Sequence, residues 1–125
     1  MKTKTIAGVL TVVCLAGGAV YAAEQFGVPV YPGATQHKPS SDMLKQNSME
    51  GGCYRTVDAM AMVVEFYKKR PELKPIASVG AVAKFELKGG ADAGGVDVTV
   101  QSPWLEVTTG TLVKGSLVCI GRQAK

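Results

Sequence analysis

Apolar and polar residues alternate through most of the C-terminal half of this chain. Ala83, Phe85 and Leu87 interleave with Val82, Lys84, Glu86 and Lys88. That period of two predicts a half-buried strand running from about Val79 to Leu87. Val96, Val98 and Val100 alternate with Asp97 and Thr99, which predicts a second. Pro103 interrupts, Trp104 to Val107 resumes extended structure, and Thr108-Thr109-Gly110 reads as a turn. A last strand is expected from Thr111 to Ile120. Before these strands the period changes. Ala59, Met62, Val63, Phe66 and Tyr67 recur at helical spacing, predicting an amphipathic helix from about Ala59 to Lys69. Asp58 stands where an N-cap would, and Lys68, Lys69 and Arg70 suit the negative end of the helix dipole. Pro71 disfavours helical geometry at Arg70 and ends the segment. Cys53 to Val57 reads as a short strand leading into it.

The N-terminal half is patterned differently. Ala23 to about Gly51 is rich in Pro, Gly, Ser, Gln and Asn. Val28, Val30 and Tyr31 are expected to pack on the core from an extended segment, with Pro32-Gly33 as a tight turn. Residues 35 to 51 read as a mobile loop carrying at most a helical turn near Asp42 to Gln46, anchored by Met43 and Leu44. Ahead of this lies Met1-Lys2-Thr3-Lys4, an apolar run from Ile6 to Val20, and Tyr21-Ala22-Ala23. A basic start, a hydrophobic middle and small residues at a cut site make a secretory signal peptide. The run is about fifteen residues, where a spanning helix wants about twenty. Cleavage after Ala22 puts Val20 and Ala22 at the two small-residue positions. Cleavage after Ala23 would put bulky Tyr21 at one of them, so Ala22 is preferred. The alternative is an uncleaved N-terminal anchor.

The expected organisation is a signal peptide over 1–22, an extended arm and loop over 23–51, and a single α+β domain over 52–122. One strand, one helix and then three or four strands imply one amphipathic helix packed on a small antiparallel sheet.

Export changes the reading of the cysteines. Cys14 lies inside the apolar run, behind Val12 and Val13 rather than the small residue of a lipoprotein signal. It reads as an ordinary small hydrophobe that leaves with the leader. Cys53 and Cys119 remain, and an even count in an exported chain predicts a disulfide. Two separate buried thiols are the alternative. A bridge would make the strand before the helix a neighbour of the last strand, since bridged Cα atoms must lie within about 7 Å. No second cysteine lies two residues from either one and His37 is the only histidine, so neither metal nor haem is expected and no cofactor is called for.

Charge narrows the partners. The formal net charge is +4, and removing Lys2 and Lys4 with the leader leaves +2. No basic stripe interleaved with aromatics appears, so nucleic acid is not an expected partner. No membrane span is expected after cleavage. The expected partner is a protein or small ligand of the export compartment.

No catalytic residue is assigned. His37 sits alone in a polar segment and reads as a solvated surface histidine. Asp58, Glu65 or Tyr67 would serve a small hydrolase; a cap, a surface charge and a core aromatic explain them more simply. Tyr31 and Trp104 are the candidate surface contacts, each read first as a packing residue. Lys84, Glu86, Lys88, Asp97 and Thr99 share a polar strand face that could bind or be merely solvated. Gly89 to Gly95 reads as a plain hairpin loop, because a phosphate loop would be followed by a helix.

Val28-Pro29-Val30-Tyr31-Pro32-Gly33-Ala34, the helix end Val64-Glu65-Phe66-Tyr67-Lys68-Lys69 and the strand from Val96 to Trp104 resemble a group of small exported bacterial proteins. In these a Tyr-Pro-Gly-Ala segment precedes a helix ending Phe-Tyr-Lys-Lys. The group is largely uncharacterised, and the resemblance implies fold rather than function. The long polar stretch before the helix and the Cys53/Cys119 pair depart from it. The function expected is a small exported non-enzymatic binding or accessory domain. The alternatives are a small hydrolase, or a structural subunit that docks by adding Phe26 to Tyr31 as a strand to another protein's sheet.

Overall fold

The computed structural model describes residues 23–89 and 94–124. The expected leader over 1–22 and the centre of the Gly89–Gly95 loop lie outside the described residues.

Among the described residues the fold is β-rich, not one helix on a small sheet: 47% strand against 18% helix, with two helices, a six-stranded sheet and two small sheets. The large sheet has the order β3 (Thr35–Gln36), β4 (Met49–Thr56), β10 (Ser116–Gln123), β7 (Asp97–Gln101), β6 (Val82–Leu87), β5 (Leu73–Val79), every pairing antiparallel. The small sheets are two hairpins, β1 (Glu24–Gln25) with β2 (Val28–Pro29), and β8 (Trp104–Glu106) with β9 (Thr111–Val113). The helices are α1 (Lys38–Gln46) and α2 (Met60–Lys68).

Alternation on the strands builds two apolar clusters on opposite faces of the sheet. Phe85, Val98, Val100, Val118 and Ile120 form one with Val63 and Tyr67 of α2 and with Val28, Val30 and Tyr31. Val28, Val30 and Tyr31 thus pack on the core from their extended segment, as the sequence predicts. Tyr67 is fully buried and donates its hydroxyl to Pro29 O at 2.9 Å. Burial pushes the Tyr67 phenol well above its ordinary range. Cys53 and Leu117 point the other way and pack with Trp104, flanked by Leu44, Val113 and Cys119. Lys84, Glu86, Asp97 and Thr99 share that second face half-buried, while Lys88 is exposed; burial raises the Asp97 carboxyl.

Four differences from the sequence reading have physical causes. First, the expected loop over 35–51 contains β3, α1 and the start of β4. Apolar periodicity is blind to α1 because its buried residues are Ser40 and Ser41. Ser41 Oγ accepts from Cys53 N–H (2.9 Å), taking the place of a strand partner where β3 has ended. Second, Gly51-Gly52 looks unfit for a strand, yet Gly51 is what lets β4 lie close to β10. Its φ is +142°, and a Cβ there would collide with Ile120 O. Third, a strand, β5, occupies the stretch between the helix end at Pro71 and the strand expected from about Val79. It is an edge strand, which can hold Pro75 and the irregularity between Pro75 and Ala77, and both blunt an otherwise open edge. Fourth, α2 begins at Ala59 without a side-chain cap, and the Asp58 carboxylate instead accepts from Tyr31 OH at 2.6 Å. Met62, expected on the buried face, is 57% exposed; the buried stripe of so short a helix is only Val63 and Tyr67.

Cys53 and Cys119 face each other across the β4–β10 pair, with Cα atoms 4.0 Å apart and sulfurs at bonding distance. The strand before α2 and the last strand are therefore neighbours.

Candidate functional site

The β8–β9 hairpin stands over the second face of the sheet, and a cleft opens where it meets β3 and β4. The chain leaves β7 through a cis Ser102–Pro103 peptide, and Ser102 Oγ donates to Gly115 O at 2.6 Å, tying the two ends of the hairpin. Within the hairpin Trp104 pairs with Val113 and Glu106 with Thr111, while Leu105 and Leu112 form the pair between them. Trp104 is 2% exposed and Leu112 is exposed, so alternation turns one side of the hairpin inward and the other to solvent.

His37 fastens the hairpin to the sheet. It is 7% exposed, not a solvated surface histidine. It caps α1: Ser40 N–H donates to Nδ1 (3.3 Å), and Ser40 Oγ lies 2.8 Å from the same nitrogen. With Nδ1 accepting, the proton is on Nε2, which donates to Glu106 Oε2 at 2.6 Å. The ring meets Trp104 edge-on, centroids 5.0 Å apart and planes at 71°. Glu106 Oε1 accepts from Thr108 N–H (2.9 Å) and Thr108 Oγ1 (2.7 Å). The Thr108 amide and hydroxyl, then His37, hold the Glu106 carboxyl down at about 2. One residue therefore starts a helix, orients a carboxylate and braces the tryptophan.

Ser40, His37 and Glu106 share the connectivity of a serine–histidine–acid relay. The ring nitrogens are exchanged relative to that relay, the Ser40 amide occupies the nitrogen a base would use, and Ser40 is only 5% exposed. The set works as a cap and a strap.

The cleft itself encloses about 410 Å³ and is lined by Gly33, Thr35, Arg55, Thr56, Val57, Trp104, Val113 and Lys114. Each wall has a local cause. Pro32 and Gly33 are the central residues of a turn closed by Ala34 N–H to Tyr31 O (3.0 Å), with Gly33 at φ +84°, the type II arrangement that Pro-Gly favours. Thr35 and Arg55 are cross-strand partners in β3 and β4. Lys114 precedes Gly115, whose φ of +95° turns the chain from β9 into β10 where a Cβ would strike Thr56 O.

The other candidates fall elsewhere. Tyr31 is buried, its phenol pushed up to about 12 by burial and by the Asp58 acceptor. Asp58 and Glu65 line an open groove along α2 with Tyr31, Met62 and Phe66, which Tyr67 does not enter. The segment Phe26 to Tyr31, weighed as a strand donor, buries Val28, Val30 and Tyr31 in its own chain. Arg55, Lys114 and Thr35 are scattered polar residues that carry no spacing signal in the sequence until the hairpin folds over β4. Among the described residues no group of three or more His, Cys, Asp or Glu could hold a metal, and no helix is long and apolar enough to cross a membrane.

No protein-family model, curated protein or solved structure matches this chain.

Proposed function

We propose that this chain is an exported, disulfide-stapled, non-enzymatic binding domain whose ligand site is the cleft between the β8–β9 hairpin and β3–β4. One observation carries the reading. The cleft is concave and walled on one side by a hairpin braced through His37 and Glu106, and its lining combines apolar Trp104, Val57 and Val113 with a few polar groups. That is the usual make-up of a small-molecule site. Export is supported by the basic, apolar and small-residue order of the leader and by the Cys53–Cys119 contact, since such bridges persist in oxidising compartments. The resemblance to small exported bacterial proteins points the same way.

The test is amide-shift mapping of the oxidised protein against a low-molecular-mass extract of the export compartment. Saturable shifts confined to Gly33, Thr35, Arg55 to Val57, Val113 and Lys114 are expected. Shifts centred on the α2 groove, or none at all, would remove the cleft as the binding site. Covalent labelling of Ser40 by a fluorophosphonate would replace binding with a hydrolase reading.

A further inference from the structure

We infer that the ligand of this cleft is a small organic anion: a carboxylate or phosphate carried on an apolar, preferably aromatic, body. The inference rests on the cleft being the binding site and names its ligand class.

The polar lining is made of donors. Arg55 and Lys114 both line the cavity, and no carboxylate does. Neither cation makes an ion pair among the described residues, whose salt bridges are His37–Glu106, Lys38–Asp42 and Arg122–Glu50. Two cations at one concave site with no internal partner leave a positive potential that an incoming anion can use. Arg supplies a planar fork suited to two oxygens, and Lys a point charge.

The neutral groups agree in sign. Thr56 Oγ1 already accepts from Asp58 N–H at 3.2 Å, which leaves its O–H to donate. Thr35 adds a second hydroxyl at the exposed end of β3. Gly33 N–H, at the third position of its turn, makes no hydrogen bond among the described residues. A cation would find little here to coordinate it.

The remaining lining sets the rest of the molecule. Trp104 and Val113 are apolar, and Val57 is 93% exposed at the rim, a position that costs contact with water until something covers it. The volume of about 410 Å³ suits a small molecule rather than a folded partner.

The test titrates the oxidised protein with phenyl phosphate, benzoate, inorganic phosphate and neutral benzyl alcohol, reading amide shifts. Phenyl phosphate and benzoate should bind saturably at Gly33, Thr35, Thr56 and Lys114, with inorganic phosphate weaker and benzyl alcohol weakest. Which aromatic anion binds tighter distinguishes a phosphate ligand from a carboxylate one. Arg55→Gln with Lys114→Gln should weaken the better probe at least tenfold while amides outside the cleft stay in place. Arg55→Lys should lose less than Arg55→Gln. Raising the salt concentration should weaken binding. If benzyl alcohol binds as tightly as the anions and the double variant is indifferent, the anion assignment falls and the cleft reading stands. If no anion shifts the cleft while the compartment extract does, the ligand class is likewise wrong.

Discussion

Replacing His37 should unfasten the cleft wall and destabilise the whole domain. His37 is buried, its Nδ1 caps the N-terminus of α1, and its ring braces Trp104 edge-on. In His37→Ala the lost cap costs about 1 kcal/mol. The Trp104 contact is worth about 1 kcal/mol, and the buried Ser40 hydroxyl is stranded without its acceptor, at about 1 kcal/mol or more. The sum is about 3 kcal/mol, a large part of the stability of a domain this size. His37→Asn separates these effects. Its amide oxygen can stand where Nδ1 stood and restore the cap, recovering about 1 kcal/mol, but it cannot reach Glu106 or brace the indole. Urea unfolding of the three proteins at neutral pH, followed by circular dichroism and by the fluorescence of Trp104, the single tryptophan, provides the measurement. Wild type should exceed Asn, and Asn should exceed Ala. An alanine variant within about 0.5 kcal/mol of wild type, or an asparagine variant no better than alanine, would refute the cap-and-brace reasoning; the first result would place His37 among near-neutral surface changes.

Cys53→Ser with Cys119→Ser opens a loop closed across 66 residues, and the chain-entropy model gives about 4 kcal/mol of lost stability; a denaturation midpoint unchanged in the double variant would mean the pair adds nothing. Glu106 has a folded pKa of about 2, below its ordinary 4.5. Its contribution is therefore present above about 4.5 and lost as pH falls toward 2. Glu106→Gln should flatten that part of the acid limb, and an identical acid limb in wild type and variant would contradict the shift. Gly115→Ala and Gly51→Ala each place a Cβ against backbone and should cost about 1–3 kcal/mol, whereas Gly80→Ala, which meets nothing within 4 Å, should cost less; equal losses at the three sites in thermal unfolding would sink the close-approach argument. Tyr67→Phe removes the hydroxyl from buried Pro29 O and should cost about 1 kcal/mol by urea unfolding; no change would show that Pro29 O finds another partner.

The parts of the fold that could be read from sequence are those held by apolar burial. Val98 and Val100 alternate with half-buried polar residues because β7 turns one face into the core, and Val63 and Tyr67 mark the stripe of α2 that meets it. The pairing of Cys53 with Cys119 follows from counting cysteines once the expected leader is set aside. The parts that could not be read are those held by hydrogen bonds. α1 docks through Ser40, Ser41 and His37, whose role depends on Glu106 far along the chain. β5 hides behind Pro75, which an edge strand tolerates and a central one would not. The cleft was least legible. Arg55 and Lys114 are unremarkable surface cations until the hairpin folds β9 back toward the end of β4, and no local pattern encodes that approach.

Intact mass of the protein recovered from the export compartment without reductant reads export and the bridge together. The expected chain begins at Ala23 and is lighter than its reduced form by two hydrogens. A chain that still begins at Met1, or one whose Cys53 and Cys119 both alkylate without reduction, would contradict that expectation.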